Sequence, residues 1–286
     1  MDLFDDKNER SLLTQLLDDS KLYKNGKNFK ELLEFTNKLS NFAPFNSFLL
    51  HIQKPGLSFA ASKNDWHNKF NRTIKEGARP LLILWAFAPV AFVYDVADTD
   101  GDKLPDDVAA VFRAKGTMTE KDIQSFIGKL IKSGIDTKLI EYGDAHAGHI
   151  QRPNNQLEHY PAVNRRSENV KEKPDYLIRL NKKHDANVQF STLAHELAHL
   201  YLGHLGADKF LKIPARLNKS QDTKELEAES VSYIVCRRNN VVPNSETYLT
   251  NFVDDKLQAD DMDVYAVLKA AGQIETILDL IGHTKF

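Results

Sequence analysis

Residues 192–200 read Thr-Leu-Ala-His-Glu-Leu-Ala-His-Leu. His195 and His199 stand four apart, with Glu196 directly after the first. On a helix, positions four apart share a face, so both imidazoles can turn to one cation. Glu196 lies about 100° further round, beside such a cation instead of on it. That is where a general base must stand to take a proton from a metal-bound water. Ten His and fifteen Glu in 286 residues would give this pattern about 0.02 times by chance.

The surroundings support a metal. Leu193, Ala194, Leu197, Ala198, Leu200 and Leu202 flank the motif, which predicts a largely buried helix. Two imidazoles and a carboxylate are costly there without a compensating partner, and Zn²⁺ is the expected one. A zinc ion that keeps one position open for water needs a third protein ligand. Lys224-Glu225-Leu226-Glu227-Ala228-Glu229 offers it, because Glu225 and Glu229 are again four apart on one face. Glu225 is assigned as the third ligand. Glu229 then stands behind a ligand histidine, accepting its free N–H. The converse, with Glu229 on the metal, stays open on sequence alone. Glu227 points to the other side of that helix and is expected in solvent. Ala228 would let the two helices approach closely.

A metzincin pattern would need Gly three residues after the second His and a third His three beyond the Gly, but Leu202 and Leu205 occupy those places. Gly203 is expected to end the helix, with His204 at the surface or behind the ligands. His146, His149 and His159 precede the zinc helix and are expected at the surface. Tyr201 and Tyr233 are unsupported candidates for stabilising an oxyanion. Tyr176–Leu180 is read as an edge strand on which an extended peptide could lie. The sole cysteine, Cys236, is expected to be buried and inert, and it excludes an intrachain disulfide and a cysteine zinc finger.

The elements that must hold these groups follow from periodicity and punctuation. Helices are predicted near Asn28–Leu39, Pro44–Gln53, Asn64–Phe70, Thr119–Ser133, Val188–Leu202, Thr223–Arg238, Ser245–Val253 and Val264–Ile281. Thr119 with Asp122 has the form of a capping box. The run Pro80–Tyr94 is about 15 residues long and carries Pro89, short of the ~20 a spanning helix needs. It is read as two strands with a turn at Ala88-Pro89. Further strands are placed at Asp136–Tyr142 and Gly148–Arg152. The polar stretch Asp95–Pro105 is the boundary candidate; its acid spacing lacks the closing Glu of a calcium loop, Asp106 standing there. The fold class is therefore α+β, in two domains: residues 1–112 with the linker, and residues 113–286 carrying the motif.

Composition fits that of an ordinary soluble globular protein, with 42% hydrophobic and 27% charged residues. The net charge of -2 marks no global nucleic-acid binder. Charge is uneven, however: Lys21–Val90 holds 11 Lys and Arg against 4 Asp and Glu. Met1–Arg10 has no apolar core of a secretory signal. A cytoplasmic protein without a membrane anchor is the expectation.

Leu193–His199, then Gly203-His204, then Glu225-x-x-Ala228-Glu229 resemble ImmA/IrrE-type metallo-endopeptidases, which are gluzincins. They also resemble the peptidase domain of ArdC-type antirestriction proteins, as do Tyr248-Leu249 and Ala270–Ile274. The resemblance spans about Thr119–Leu280. It implies a compact zincin-like domain that hydrolyses a peptide bond in a specific, regulatory protein. Phe45–Leu50, Gln53, Pro55 and Trp66 are similar to the N-terminal domain of ArdC-type proteins, which implies single-stranded DNA as a partner. Lys63, Trp66, Lys69, Arg72, Lys75 and Arg79 would then supply charge and stacking. An alternative reading follows, a DNA-binding antirestriction protein whose zinc site is secondary or structural.

Overall fold

The computed structural model describes residues 26–85, 90–105, 118–141, 147–153, 163–164, 171–172, 174–242 and 262–280. The predicted helix near Ser245–Val253, the turn at Ala88-Pro89, and His146 and His159 lie outside them. The architecture is α+β. Contacts gather into two units, one holding the described residues up to 105 and one holding those from 118 onward.

In the first unit, α1 (Gly26–Lys38) and α2 (Pro44–Gln53) are followed by β1 (Ala60–Ala61), α3 (Lys63–Phe70), β2 (Arg72–Ile74), β3 (Leu81–Leu84), β4 (Val90–Asp95) and β5 (Thr99–Gly101). Pro44 starts α2 where its missing N–H costs nothing. The apolar run does form an antiparallel pair, with Leu81 opposite Val93 and Leu84 opposite Val90. β4 lies centrally in the order β1-β4-β3, and β2 pairs separately with β5. Ile83 and Val93 face a core of Phe35, Leu39, Phe42, Leu50 and Leu57. A second cluster joins Phe59, Ala61, Trp66 and Phe70.

The edge of β3 is closed by side chains. Gln53 donates to the Leu82 carbonyl (2.7 Å) and accepts from the Leu82 N–H (2.8 Å). Asn46 does the same with Leu84, at 3.0 Å each way. Each amide reproduces the donor–acceptor pair of a neighbouring strand, which satisfies an otherwise exposed edge.

In the second unit, α4 (Glu120–Leu130) and a 3₁₀ turn at Ile131–Ser133 lead into β6 (Ile135–Ile140), β7 (Gly148–Gln151), the short pair β8 (Val163–Asn164) and β9 (Lys171–Glu172), β10 (Tyr176–Asn181), α5 (Ala186–Tyr201), α6 (Gln221–Arg238) and α7 (Val264–Leu278). The predicted capping box at Thr119 and Asp122 is present in full. The strand order is β6-β10-β7, with β10 parallel to β6 and antiparallel to β7. The edge-strand expectation for Tyr176–Leu180 is therefore corrected. Its residues Tyr176, Leu177, Ile178 and Leu180 are fully buried, and pairing on both sides occupies their backbone. β6 and β7 are the two edge strands of this sheet among the described residues.

α5 carries the motif. Asp185 caps it, accepting from the N–H groups of Asn187 and Val188, and its Phe190, Leu193, Ala194, Leu197, Ala198 and Leu200 are fully buried. Gly148 lets β7 pass close by: a Cβ there would lie 2.8 Å from the Thr192 methyl group and 2.6 Å from the Arg179 carbonyl oxygen. Ala228 is fully buried on α6, which packs against α5.

Candidate metal centre

His195 and His199 emerge on one face of α5, and their Nε2 atoms are 3.1 Å apart. Glu225 Oε2, from the first half of α6, lies 3.4 Å from His195 Nε2 and 3.6 Å from His199 Nε2. These three atoms form the one His/Cys/Asp/Glu group of metal-binding geometry among the described residues. Tetrahedral ligands at the zinc–nitrogen distance of about 2.0–2.1 Å sit about 3.3 Å from one another. The observed separations bracket that value.

The remaining atoms of each ligand are occupied. His195 Nδ1 faces Glu229 Oε1 at 3.2 Å, and His199 Nδ1 faces His204 Nδ1 at 3.0 Å. The Gln221 side chain holds Glu225 Oε1, leaving Oε2 for the histidines. An imidazole that hydrogen-bonds through Nδ1–H leaves Nε2 as a bare lone pair. With Nδ1 protonated on both rings, two Nε2 lone pairs would face each other 3.1 Å apart, a repulsion that a cation or a bound proton relieves. Burial lowers the His195 pKa, but the Glu225 and Glu229 carboxylates outweigh it and hold it up at about 10. The same two imidazoles hold the Glu225 carboxyl far below the ordinary carboxylate range. Both shifts describe a site built to contain positive charge.

Glu196 sits beside this group and is buried. Burial raises its pKa, and the His195 and His199 charges and a hydrogen bond from the Ile150 N–H of β7 pull it only partly back. A carboxylate with raised basicity next to a cation site can accept a proton from water. A cavity of about 570 Å³ opens on this side, lined by His195, Glu196, Glu229, Thr192, Ser232 and Gly148 among others.

Behind the ligands the structure departs from the sequence reading. Glu227 is fully buried, not solvated. Its Oε2 lies 3.1 Å from His204 Nε2; its Oε1 accepts from Arg216 (2.6 Å) and from the Asp263 N–H (3.0 Å). His204 is buried as well. α6 carries buried residues all round, from Leu226 to Cys236, so the side opposite Glu225 faces protein. Leu226, Ile234, Val231 and Val235 fall on one half of the helix with Glu227 in the middle of that apolar arc, and this was the available signal. Arg216 had none, because it arrives from a loop.

That loop depends on Gly203. It ends the helix with φ of 76°, and a Cβ on it would lie 2.0 Å from the Pro214 carbonyl oxygen. The returning chain bonds there, Arg216 N–H to the Gly203 carbonyl at 3.0 Å.

The proposed DNA-contact residues are dispersed in role. Trp66 is fully buried and donates its indole N–H to the Tyr94 carbonyl at 2.9 Å. It packs edge-to-face on Phe59, so its ring is not available to stack on a base. Arg72 is half-buried and bonds to Thr99 and Asp102. Lys69 pairs with Asp65 at 2.8 Å, and Lys75 bonds the Ala97 carbonyl at 2.9 Å. Lys63, Lys69, Lys75 and Arg79 are exposed. His149 is half-buried on β7. Tyr201 is buried, and burial pushes its hydroxyl pKa up. Cys236 is buried, with its thiol pushed up to about 12 by burial.

Residues 154–236 match the model of the M78 peptidase family, described as an IrrE N-terminal-like domain. That stretch contains His195, Glu196, His199, Glu225 and Glu229. No curated protein matches the chain. Two solved structures of the antirestriction protein ArdC from plasmid R388 are similar to it. The metal-free form is 17% identical with a TM-score of 0.36, and the Mn(II)-bound form is 18% identical with a TM-score of 0.37. In each case 82% of both chains is covered.

Proposed function

We propose that this protein is a zinc-dependent metallo-endopeptidase, acting on a peptide bond of a specific, regulatory protein in the cytoplasm. The observation that carries the reading is the convergence of His195 Nε2, His199 Nε2 and Glu225 Oε2 at tetrahedral ligand spacing, with Glu196 beside them. The match of residues 154–236 to a peptidase family supports it. In this reading His195, His199 and Glu225 hold Zn²⁺ and Glu229 orients His195. Residues 113–286 form the catalytic domain and residues 1–112 a recognition domain.

When bound, the ion would lower the pKa of water and polarise a peptide carbonyl. Glu196 accepts the proton of the attacking water and returns it to the leaving amine. Its raised pKa keeps it basic enough for the first step and able to donate in the second. An extended substrate lies along the outer side of β7, adding a strand to the sheet. The cavity beside Thr192 and Ser232 takes a flanking side chain.

The test uses the full chain, loaded with zinc, and a library of fluorescence-quenched peptides. Glu196→Gln should keep its zinc and lose cleavage by about 10²–10⁴-fold. A wild type that holds zinc and cleaves no peptide would instead support a structural site. A second reading rests on the basic excess of Lys21–Val90 and on exposed Lys63, Lys69, Lys75 and Arg79: single-stranded DNA binding, as in an antirestriction role. It requires oligonucleotide binding that weakens steeply with salt.

A further inference from the structure

We propose that His204, Glu227 and Arg216 form a buried positioning chain that fixes His199 as an Nε2 ligand. This rests on the zinc reading and goes beyond it, since none of the three touches the ion or the substrate.

The hydrogen-bond inventory allows one proton arrangement. If His199 Nε2 faces a cation, it carries no proton, so Nδ1 must carry it. That Nδ1–H then donates to His204 Nδ1, 3.0 Å away. His204 is thereby a bare acceptor at Nδ1, and its proton resides on Nε2. Nε2–H donates to Glu227 Oε2 at 3.1 Å. Glu227 Oε1 accepts from Arg216 at 2.6 Å and from the Asp263 N–H at 3.0 Å. Each ring nitrogen is used once, and each carboxylate oxygen has a donor.

Burial makes this arrangement binding. The side chain of His204 is 2% exposed and that of Glu227 0%. A buried carboxylate needs compensation, and Arg216 supplies the opposite charge. The chain therefore presents a neutral imidazole to His199, held from behind by a neutralised carboxylate. His195 is backed differently, directly by the Glu229 carboxylate. The same logic explains the Gly203-His204 pair. Gly203 lets residues 214–216 return across the end of α5, and that return delivers Arg216 to Glu227.

His204→Leu and His204→Asn separate positioning from packing. The two side chains have nearly the same shape, and only Asn offers an acceptor where Nδ1 stood. Zinc affinity is measured on the full chain by competition with a chelator, with the apo-protein's thermal unfolding alongside. His204→Leu should bind zinc about 10–100-fold more weakly than wild type, the usual effect of losing a ligand's outer partner. His204→Asn should recover most of that loss. Melting temperatures should not favour Asn, because a purely structural role rewards the apolar residue. Equal zinc affinity in the two variants overturns the proposal. Should His204→Leu fail to fold, the imidazole ¹⁵N spectrum of zinc-loaded wild type decides. A proton on His204 Nε2 with Nδ1 bare supports the chain, and the opposite tautomer refutes it. A wild type that binds no zinc defeats the metallopeptidase reading itself. Zinc-binding wild type with indifferent variants defeats only this inference.

Discussion

Replacing Gly203 by Ala tests the loop that builds the back of the site. Two costs combine. An L-residue at φ of 76° costs about 1–2 kcal/mol. The new Cβ would also stand 2.0 Å from the Pro214 carbonyl oxygen, so the returning chain must retreat by about 1 Å or more before packing is restored. Retreat loosens the Arg216–Gly203 backbone bond and draws Arg216 away from Glu227. Separating a buried ion pair costs about 3–5 kcal/mol. A loss of about 3–5 kcal/mol is expected, since partial relaxation trades one cost against the other. Urea unfolding followed by far-UV circular dichroism measures it. Gly128→Ala is the paired control. Gly128 lies inside α4 with nothing within 4 Å of a new Cβ, so the same chemical change there should stabilise by about 0.5–1 kcal/mol. If Gly203→Ala unfolds within about 0.5 kcal/mol of wild type, the close approach and the reasoning built on it are wrong.

Other expectations follow from the same structure. Trp66→Ala should destabilise by about 3–5 kcal/mol in the same urea assay, because a fully buried indole with a bonded N–H is lost; a change below about 1 kcal/mol would put Trp66 at the surface. The Thr119 hydroxyl and amide hold the Asp122 carboxyl below its ordinary range. Its contribution to stability is thus present above the ordinary carboxylate pKa and lost as pH falls through the lowered folded value. Asp122→Asn should therefore be less stable than wild type at neutral pH, by under about 1 kcal/mol for so exposed a group, and the gap should close in acid; a gap independent of pH would contradict the assignment. Burial pushes the Cys236 thiol up to about 12, so native protein should resist iodoacetamide at pH 8, while urea-unfolded protein takes up one equivalent; native labelling at a comparable rate would place the thiol at the surface.

The His195–Glu196–His199 spacing and the Glu225/Glu229 pairing were legible because helical geometry alone decides which side chains share a face. The ends of α2 and α4 were legible for the same local reason, in Pro44 and in the Thr119–Asp122 box. What escaped depends on contacts distant in sequence. Glu227 is a charged residue on a helix and reads as solvated until Arg216, His204 and the Asp263 N–H are brought to it. Tyr176–Leu180 reads as a strand, but only pairing with both β6 and β7 shows it to be central. Trp66 among lysines suggests a stacking platform, whereas Phe59 and Phe70 enclose its ring. Asn46 and Gln53 read as polar helix positions, and their pairing with the edge of β3 is visible only in three dimensions.

The most direct test of the central claim is metal content by mass spectrometry, on the purified full chain and on His195→Ala, His199→Ala and Glu225→Ala. One zinc per chain in wild type, lost in all three variants, is the expected result. Wild type that cannot be loaded with zinc, or a Glu225→Ala variant that keeps it with unchanged affinity, would contradict the account.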